Sequence, residues 1–171
     1  MTDATPAAAA PAAGPANAVF NFDKLYIKDM SIEVPNAPQI FLETEAPSLE
    51  TSLNINAANF AEGMYEVTVT ATVTTRINDK VVFLVEIAQA GIFEIRNIPA
   101  EQLDPIIGIH CAAQVYPYLR ANVADVITRA GFPALHLPLV NFEALYAQRL
   151  EQLREQQEKA AGGAAAKPVL Q

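Results

Sequence analysis

Alternating apolar and polar residues predict four β-strands in the first part of the chain. The clearest pattern is "YEVTVTATVTTRI", residues 65–77, in which apolar and polar side chains alternate and therefore point to opposite faces of a strand. Further strands are predicted over residues 22–34, 48–60 and 81–93. We expect an antiparallel meander of four strands. In the first strand, strict alternation places Leu25, Ile27 and Ser31 on one face and Tyr26, Lys28, Met30 and Ile32 on the other.

The turn between the third and fourth strands determines which of their side chains share a face. If "NDK", residues 78–80, is a three-residue hairpin loop, Ile77 pairs with Val81. One strongly apolar face then continues through the pairs Thr75/Phe83, Val73/Val85 and Ala71/Ile87. The opposite face carries threonines together with Leu84 and Glu86. We expect that face to be flat and open to solvent or to a partner.

Two helices follow the strands and supply a cover for the apolar face. Residues 103–131 have apolar positions at helical spacing, with Asp104 as the expected N-cap, Pro105 at the first helical position and Gly131 at the end. Pro117 lies inside this segment and predicts a kink. A second helix is expected to begin at Asn141. The sequence therefore predicts an α+β fold: a four-stranded antiparallel sheet with one long kinked helix and a C-terminal helix packed on one face.

The long helix carries more apolar surface than a single sheet can cover. Its main stripe includes Val123 and Ile127, and further apolar side chains lie off that stripe, namely Ile106, Ile107, Ala113, Val115 and Tyr118. Burial of such surface between protomers favours a homo-oligomer with helices at its centre. The outer strand near residues 22–34 has an edge that also favours pairing across an interface.

Composition limits the partners and the location. The chain of 171 residues is 51% hydrophobic, enough for one core, and its net charge of -8 argues against nucleic acid and anionic membranes as partners. Residues 1–19, rich in Ala and Pro, and residues 158–171, rich in Ala and Gly, are expected to be disordered tails around a folded domain of residues 20–157. No apolar run reaches the ~20 residues that span a bilayer. Without an export signal, and with a single cysteine, we expect a soluble, cytoplasmic protein with no direct membrane insertion.

The sequence holds few candidates for catalysis or metal binding. His110 and Cys111 are adjacent, which on a helix points them about 100° apart, so they cannot form a local nucleophile and base pair. An enzyme that uses Cys111 with His136 stays open as an alternative, although a small buried thiol is the simpler interpretation. No metal-ligand spacing, glycine-rich phosphate loop or nucleophile elbow is present. We therefore expect no enzyme activity, no metal and no cofactor.

Negative charge concentrates on the predicted strands. Of the 19 acidic and 11 basic residues, 11 acidic and 5 basic ones lie between residues 20 and 100. Asp29 and Glu33 are four positions apart on a strand and therefore on one face, with Glu66 and Glu86 as expected neighbours. Such a face favours a basic partner, bound with a strong dependence on salt.

Four segments resemble SecB, the bacterial protein-export chaperone family. They are "YIKDMSIEVPNAPQIF" from residue 26, "GIF" at 91–93, "YPYLR" at 116–120 and "FPALHLPLVNFEALY" at 132–146. The resemblance runs from about residue 20 to residue 155. It implies a homotetramer, a dimer of dimers with helices between two eight-stranded sheets. It also implies an ATP-independent chaperone that holds unfolded precursor proteins in apolar grooves and delivers them to the motor SecA. A SecB-like chaperone that serves a toxin–antitoxin pair is the alternative.

The resemblance also implies roles for individual residues. The SecA contact of the family maps onto Asp29, Glu33, Leu84 and Glu86. Family positions that influence tetramer assembly correspond to Val85, Ile87 and Gln89, which complete the predicted oligomer interface with Val123 and Ile127. The residues expected to line the groove are Ile40, Phe41, Tyr116, Tyr118, Phe142 and Tyr146.

Two departures from the family pattern lead to further expectations. The family has Cys-Pro-Asn near the start of the long helix, whereas this chain has Cys111, Ala112 and Ala113, so we expect a more regular turn there. Residues 141–171 hold four acidic and four basic residues in place of an acidic tail. We therefore expect no contribution of the C-terminus to the SecA contact.

Overall fold

The structure, a computed structural model, describes residues 17–164, and side chains through residue 158. Four strands come first: β1 (Val19–Glu33), β2 (Ser48–Ala61), β3 (Met64–Ile77) and β4 (Lys80–Arg96), with a 3₁₀ turn at Gln39–Leu42 between the first two. Helix α1 (Ala100–Pro105), a π-helix (Ile106–Cys111) and helix α2 (Ala112–Arg129) then follow without a break. Helix α3 (Phe142–Ala164) comes last.

The predicted tails lie mostly outside the described residues, which exclude residues 1–16 and 165–171. Strand β1 begins at Val19, close to the predicted start of the folded domain, and α3 continues past the predicted end at residue 157 to Ala164. The division into tails and domain stays a prediction.

All four strands form one antiparallel sheet, in the order β1-β4-β3-β2. The predicted meander is therefore wrong for β1, which pairs with β4 and lies at the edge opposite β2. The segment between β1 and β2 crosses the end of the sheet and is held there by the β3–β4 turn. Asn36 Nδ2 donates to the Val81 carbonyl at 2.9 Å, and the Lys80 Nζ–Glu43 ion pair, at 2.7 Å, fixes the same crossing.

The β3–β4 hairpin uses a shorter turn than predicted. Ile77 pairs with Lys80 rather than Val81, so the turn has two residues, and Asn78 at its first position adopts a positive φ of 52°. Val82 is then left out of the pairing as a bulge. Because the bulge compensates for the missing loop residue, the predicted pairs further along are confirmed, namely Thr75/Phe83, Val73/Val85 and Ala71/Ile87.

Two bulges in β1 overturn the strict alternation predicted for this strand. The pairing with β4 skips Asp23 and Lys28. Each skipped residue reverses the side on which the following side chains point. As a result Leu25, Ile27, Met30 and Ile32 share the helix-covered face, and Tyr26, Asp29, Ser31 and Glu33 share the other. The bulges thus bring the apolar side chains of β1 to one face, which the sequence pattern alone divided between two.

The long helix begins earlier than predicted and contains a π-helix that was not predicted. It starts at Ala100, so Asp104 lies inside α1 and is not its N-cap. Pro117 lies within α2, which continues as an α-helix from Ala112 to Arg129. A π-helix lies directly upstream of Ala112, whereas the chain after Cys111 is a regular α-helix, and the expectation of a turn more regular than that of the family stays a prediction. Within the π-helix, Gly108 contacts the Tyr146 ring so closely that a Cβ would lie 2.9 Å from Tyr146 Cδ2.

The ends of the helices around residues 130–141 follow local sequence signals. Gly131 has φ 91° and terminates α2, with Gly131 N bonded to Thr128 O and Phe132 N bonded to Ile127 O, the two hydrogen bonds of a Schellman motif. Asn141 Oδ1 accepts a hydrogen bond from Ala144 N at 3.0 Å, as predicted for an N-cap. The connector between the helices, residues 130–141, contains neither helix nor strand.

The core lies between α2 and the central strands β3 and β4. It is formed mainly by alternate residues of these strands and by one stripe of α2: Val67, Val69, Ala71, Val73, Val85, Ile87, Phe93, Val115, Leu119, Val123 and Ile127. Gln89 is a buried polar residue within this core. Its Nε2 donates to the Tyr26 carbonyl at 2.8 Å, and its Oε1 accepts from Asn122 Nδ2 of α2 at 2.7 Å. Gln89 pairs with Ile27 beside the Lys28 bulge, so this relay connects α2 to the irregular part of β1.

Candidate functional site

An open, mainly apolar groove lies where the β1–β2 crossing and the connector meet the end of the sheet. Its volume is about 570 Å³. The walls are Ile40 and Phe41 from the 3₁₀ turn and residues 132–135 from the connector, and the floor is formed by alternate residues of the sheet, including Leu49, Thr75, Ile77 and Phe83. A groove of this size and lining suits an apolar chain segment.

Stacked phenylalanines hold the two walls of the groove together. The Phe132 ring lies 5.1 Å from that of Phe41 and 5.0 Å from that of Phe83, centroid to centroid. Phe132 occupies this place because the Schellman motif at Gly131 turns the chain directly before it. Phe41 remains 51% exposed, so an apolar occupant of the groove has an aromatic surface to cover.

Two side chains of α2 fix the connector from below. Tyr116 donates its hydroxyl hydrogen to the Pro138 carbonyl at 2.5 Å, and Arg120 Nε donates to the Leu137 carbonyl at 2.5 Å. Tyr116 and Arg120 are one helical turn apart and bind consecutive carbonyls of a segment without regular structure. They therefore hold the part of the connector that follows the groove wall at residues 132–135.

The structure divides the six residues predicted to line the groove. Ile40 and Phe41 do line it. Tyr116 and Phe142 are instead buried together beneath the connector, edge to face, with ring centroids 5.5 Å apart. Tyr118 is half exposed on α2 and lines neither this groove nor a second, smaller cavity between β2 and α3.

Tyr146, the sixth residue, lines that second cavity of about 310 Å³ between β2 and α3, which also includes Leu53, Ile55 and Gly108. Its hydroxyl donates to Asp104 Oδ2 at 2.5 Å, which joins α3 to α1 and, with desolvation, raises the pKa of Tyr146. Sequence reasoning did not assign Phe132, Leu135, Leu49 or Phe83 to the groove. The usable signal for the connector wall was the apolar "FPAL" directly after a helix-ending glycine.

The four residues predicted to contact SecA are neighbours on the side of the sheet opposite the helices. Glu33 pairs with Leu84, Ser31 with Glu86, and Asp29 with Ala88, so Asp29, Glu33, Leu84 and Glu86 form one surface, here called the acidic patch. Its three carboxylates belong to exposed residues, and Leu84 is half-buried. In addition, Thr72 Oγ1 donates to Glu86 Oε2 at 3.4 Å.

Glu66, also expected near this patch, is engaged locally. Lys28 Nζ lies 2.5 Å from Glu66 Oε2, and the Tyr26 hydroxyl donates to Glu66 Oε1. The hydrogen bonds from Lys28 and Tyr26 lower the pKa of Glu66, and the same bond to the carboxylate, with burial, raises the pKa of Tyr26 to about 12. Because Lys28 neutralises it, Glu66 adds little negative charge to the acidic patch.

The five residues predicted as an oligomer interface are core residues of the single chain. Val85, Ile87, Gln89, Val123 and Ile127 are all buried by their own sheet and helix. They have almost no exposed surface with which to contact a second subunit, so an effect on assembly would pass through neighbouring side chains, and the predicted interface stays a prediction. Outside the groove, the exposed apolar residues of the helix-covered side include Phe20, Ile27 and Met30 of β1 and Tyr118 of α2.

The environment of Cys111 speaks against a reactive thiol. The side chain is fully buried, and burial raises its pKa to about 12, so the thiolate does not form at neutral pH. His110 and His136 are both exposed. Among residues 17–164, no three metal-ligating side chains lie close enough together to hold an ion. No helix in this part of the chain is both long enough and apolar enough to cross a bilayer.

The fold and its two surfaces define a class of protein: an α+β binding protein with an open apolar groove on one side of its sheet and an acidic patch on the other. A family model described as SecB, preprotein translocase subunit SecB, matches residues 13–153. The "Protein-export protein SecB" of Cupriavidus taiwanensis is 60% identical over 144 residues, which cover 84% of each chain. That of Bordetella pertussis is also 60% identical over 144 residues, 84% of this chain and 82% of the relative. The chain belongs to the SecB family of protein-export chaperones.

A solved structure shows the same fold at low sequence identity. It is the SecB-like chaperone of Mycobacterium tuberculosis in complex with a ChAD peptide from the HigA1 antitoxin, with a TM-score of 0.59 and 15% identity. The likeness covers 71% of this chain and 90% of that one. At this identity it is a likeness of fold alone.

Proposed function

We propose that this protein is an ATP-independent holdase that binds unfolded precursor proteins in its apolar groove and delivers them to SecA. The main support is the position of the two surfaces on opposite sides of one sheet. The groove uses the helix-covered side at the end of the sheet, whereas the acidic patch lies on the other side. A client and a docking partner can therefore be bound at the same time.

Holding a client requires only differential binding. A groove that binds the unfolded chain and not the folded one lowers the free concentration of the unfolded form and slows its folding and aggregation. The open apolar lining around Phe41 and Phe132 suits segments that folded proteins bury. Family membership at 60% identity to protein-export proteins supports this use of the groove.

The assembly we propose is a cytoplasmic homotetramer, a dimer of dimers. The exposed apolar side chains of edge strand β1 and of α2, Ile27, Met30 and Tyr118, supply surface that a second copy would cover. Several grooves in one particle would bind one unfolded chain at several points, so each contact can be weak while the whole remains tight.

Service of a toxin–antitoxin pair is not preferred as the function. The solved structure with an antitoxin peptide shares only 15% identity with this chain, whereas relatives at 60% identity are protein-export proteins. A peptide from an antitoxin that competed with precursor proteins at equal affinity would change this preference.

Charge reversal on the acidic patch tests the proposal. The double variant Glu33→Lys/Glu86→Lys is expected to weaken SecA binding at least about tenfold, because like charges placed opposite a basic partner repel. Slowing of precursor refolding should stay unchanged, since the groove lies on the other side of the sheet. SecA binding is measured by titration at several salt concentrations.

Glu62→Lys/Glu151→Lys is the matched control, with the same change in charge at exposed positions outside the patch. The proposal predicts normal SecA binding for this control. Loss of both activities in the patch variant, or of neither, would contradict the assignment. If the wild-type protein does not slow precursor refolding, the proposed holdase function itself is refuted.

A further inference from the structure

One polar group in the apolar groove has no hydrogen-bond partner. Thr75 lies on the helix-covered face of β3 between Val73 and Ile77, pairs with Phe83 and lines the groove. It is 4% exposed, and within the described part of the chain its hydroxyl is the buried side-chain group without a partner.

The other polar side chains of the groove are engaged. Glu43 is paired with Lys80 at 2.7 Å, and Glu45 Oε2 accepts from Asn78 Nδ2 at 2.8 Å. Both carboxylates belong to the β1–β2 crossing, whereas Thr75 belongs to the floor. Since buried polar groups in native proteins are nearly always hydrogen-bonded, an unpaired hydroxyl at the floor of an open groove calls for an occupant.

We propose that the Thr75 hydroxyl hydrogen-bonds a backbone amide group of an extended apolar client segment. This inference rests on the proposed function, and it adds a polar recognition point to a groove otherwise described by its apolar walls. An extended segment leaves its amide groups unpaired, and a hydroxyl both donates and accepts, so it can meet either the N–H or the C=O. A 120° rotation about the Thr75 Cα–Cβ bond moves the hydroxyl to another staggered position, and in the proposed complex the hydroxyl takes the position that faces the groove.

The isosteric variant Thr75→Val separates this role from a structural one. In the free protein, removal of an unpaired buried hydroxyl raises the melting temperature, by about 2–4 °C. Binding of a short dansyl-labelled peptide of Leu, Ala and Phe, with lysines at both ends, weakens about three- to tenfold. A merely structural threonine would not produce opposite signs in the two measurements. Thr75→Ser, which keeps the hydroxyl, restores the affinity.

Thr70→Val is the matched control, because Thr70 lies on the same strand but pairs with Ala88 on the opposite side of the sheet. It should leave peptide affinity within twofold of wild type. Replacing each backbone amide of the peptide in turn by an ester should weaken binding to the wild type at one position, and this loss should vanish in Thr75→Val.

Three results would overturn the inference. If Thr75→Val binds the peptide as tightly as wild type, the proposed hydrogen bond is refuted and the holdase proposal is unaffected. A lower melting temperature for Thr75→Val would mean that the hydroxyl already has a partner in the free protein. A wild-type protein that binds no peptide and does not slow precursor refolding would overturn both proposals together.

Discussion

The relay between Gln89 and Asn122 offers the sharpest test of how the sheet is held together. Gln89 is 2% exposed, and its amide bridges the Tyr26 carbonyl, at 2.8 Å, and Asn122 Nδ2, at 2.7 Å. We consider three variants, Asn122→Leu, Gln89→Leu and the double variant. Each leaves a different set of polar groups without a partner.

The expected magnitudes follow from those groups. Asn122→Leu leaves the buried Gln89 Oε1 unpaired and should lower the free energy of unfolding by about 1–3 kcal/mol. Gln89→Leu leaves both the Tyr26 carbonyl and the half-buried Asn122 amide without this partner and should cost more, about 2–4 kcal/mol. The double variant has no Asn122 amide that loses its partner. Its loss of unfolding free energy should therefore be about 1 kcal/mol smaller than the sum of the losses in the two single variants.

Urea unfolding followed by circular dichroism measures these differences. All variants are compared at one protein concentration, because the stability of an oligomer depends on it. Gln114→Leu, an exposed amide on the same helix, is the control and should change stability by less than about 0.5 kcal/mol. Single variants whose effects simply add would refute the relay.

The same relay is expected to hold the β1 bulge that turns Asp29 and Glu33 toward the acidic patch. In Asn122→Leu, amide hydrogen exchange should therefore accelerate at residues 26–29 more than in the centre of β3. Uniform acceleration would indicate general loosening without a local role for the bulge.

Two further predictions concern the groove wall and the buried thiol. Tyr116→Phe combined with Arg120→Met removes both hydrogen bonds to the connector and should speed release of a bound precursor about tenfold. Stopped-flow fluorescence measures the release rate. The control Arg129→Met, on the exposed side of α2, should leave this rate unchanged. The pKa of the Cys111 thiol is near 9 in the unfolded chain and about 12 in the folded protein. The contribution of Cys111 to the free energy of unfolding is therefore complete below pH 9. It is lost as the pH rises from 9 to 12, by up to about 1.4 kcal/mol per pH unit. Cys111→Ala should have a flatter alkaline stability profile, and an unchanged slope would contradict the assigned pKa.

Local patterns in the sequence were sufficient for the regular parts of this fold. Val67, Val69, Ala71 and Val73 are all buried on one face of β3, as their alternation predicted. Gly131 and Asn141 mark helix ends because a positive φ and an N-cap side chain are properties of single residues. The shared face of Asp29 and Glu33 also followed from sequence, since both come after the second bulge and keep an even spacing.

The groove was predicted only in part. Ile40 and Phe41 entered through a resemblance to a family, while Phe132 became a groove residue because the connector folds back onto the sheet. The sequence does not distinguish an aromatic residue that lines the groove from one that lies in the core. The packing of Tyr116 against Phe142 beneath the connector places both in the core. Similarly, an apolar stripe on α2 is expected both for a helix that covers its own sheet and for one that packs against another subunit. The sequence therefore does not decide between the two.

What the sequence determined by itself was therefore the set of elements, the covered face of the central strands and the excess of negative charge, because periodicity and capping act within a few residues. The tertiary structure alone decided the place of β1 next to β4, the bulges at Asp23, Lys28 and Val82, and the π-helix before Ala112. These features depend on contacts between residues far apart in the chain, such as Gln89 with Tyr26 and Gly108 with Tyr146. A bulge is stable only when contacts with residues far away in the chain make the displaced strand register lower in free energy than the regular one. A local sequence pattern does not contain these contacts and therefore does not predict the bulge.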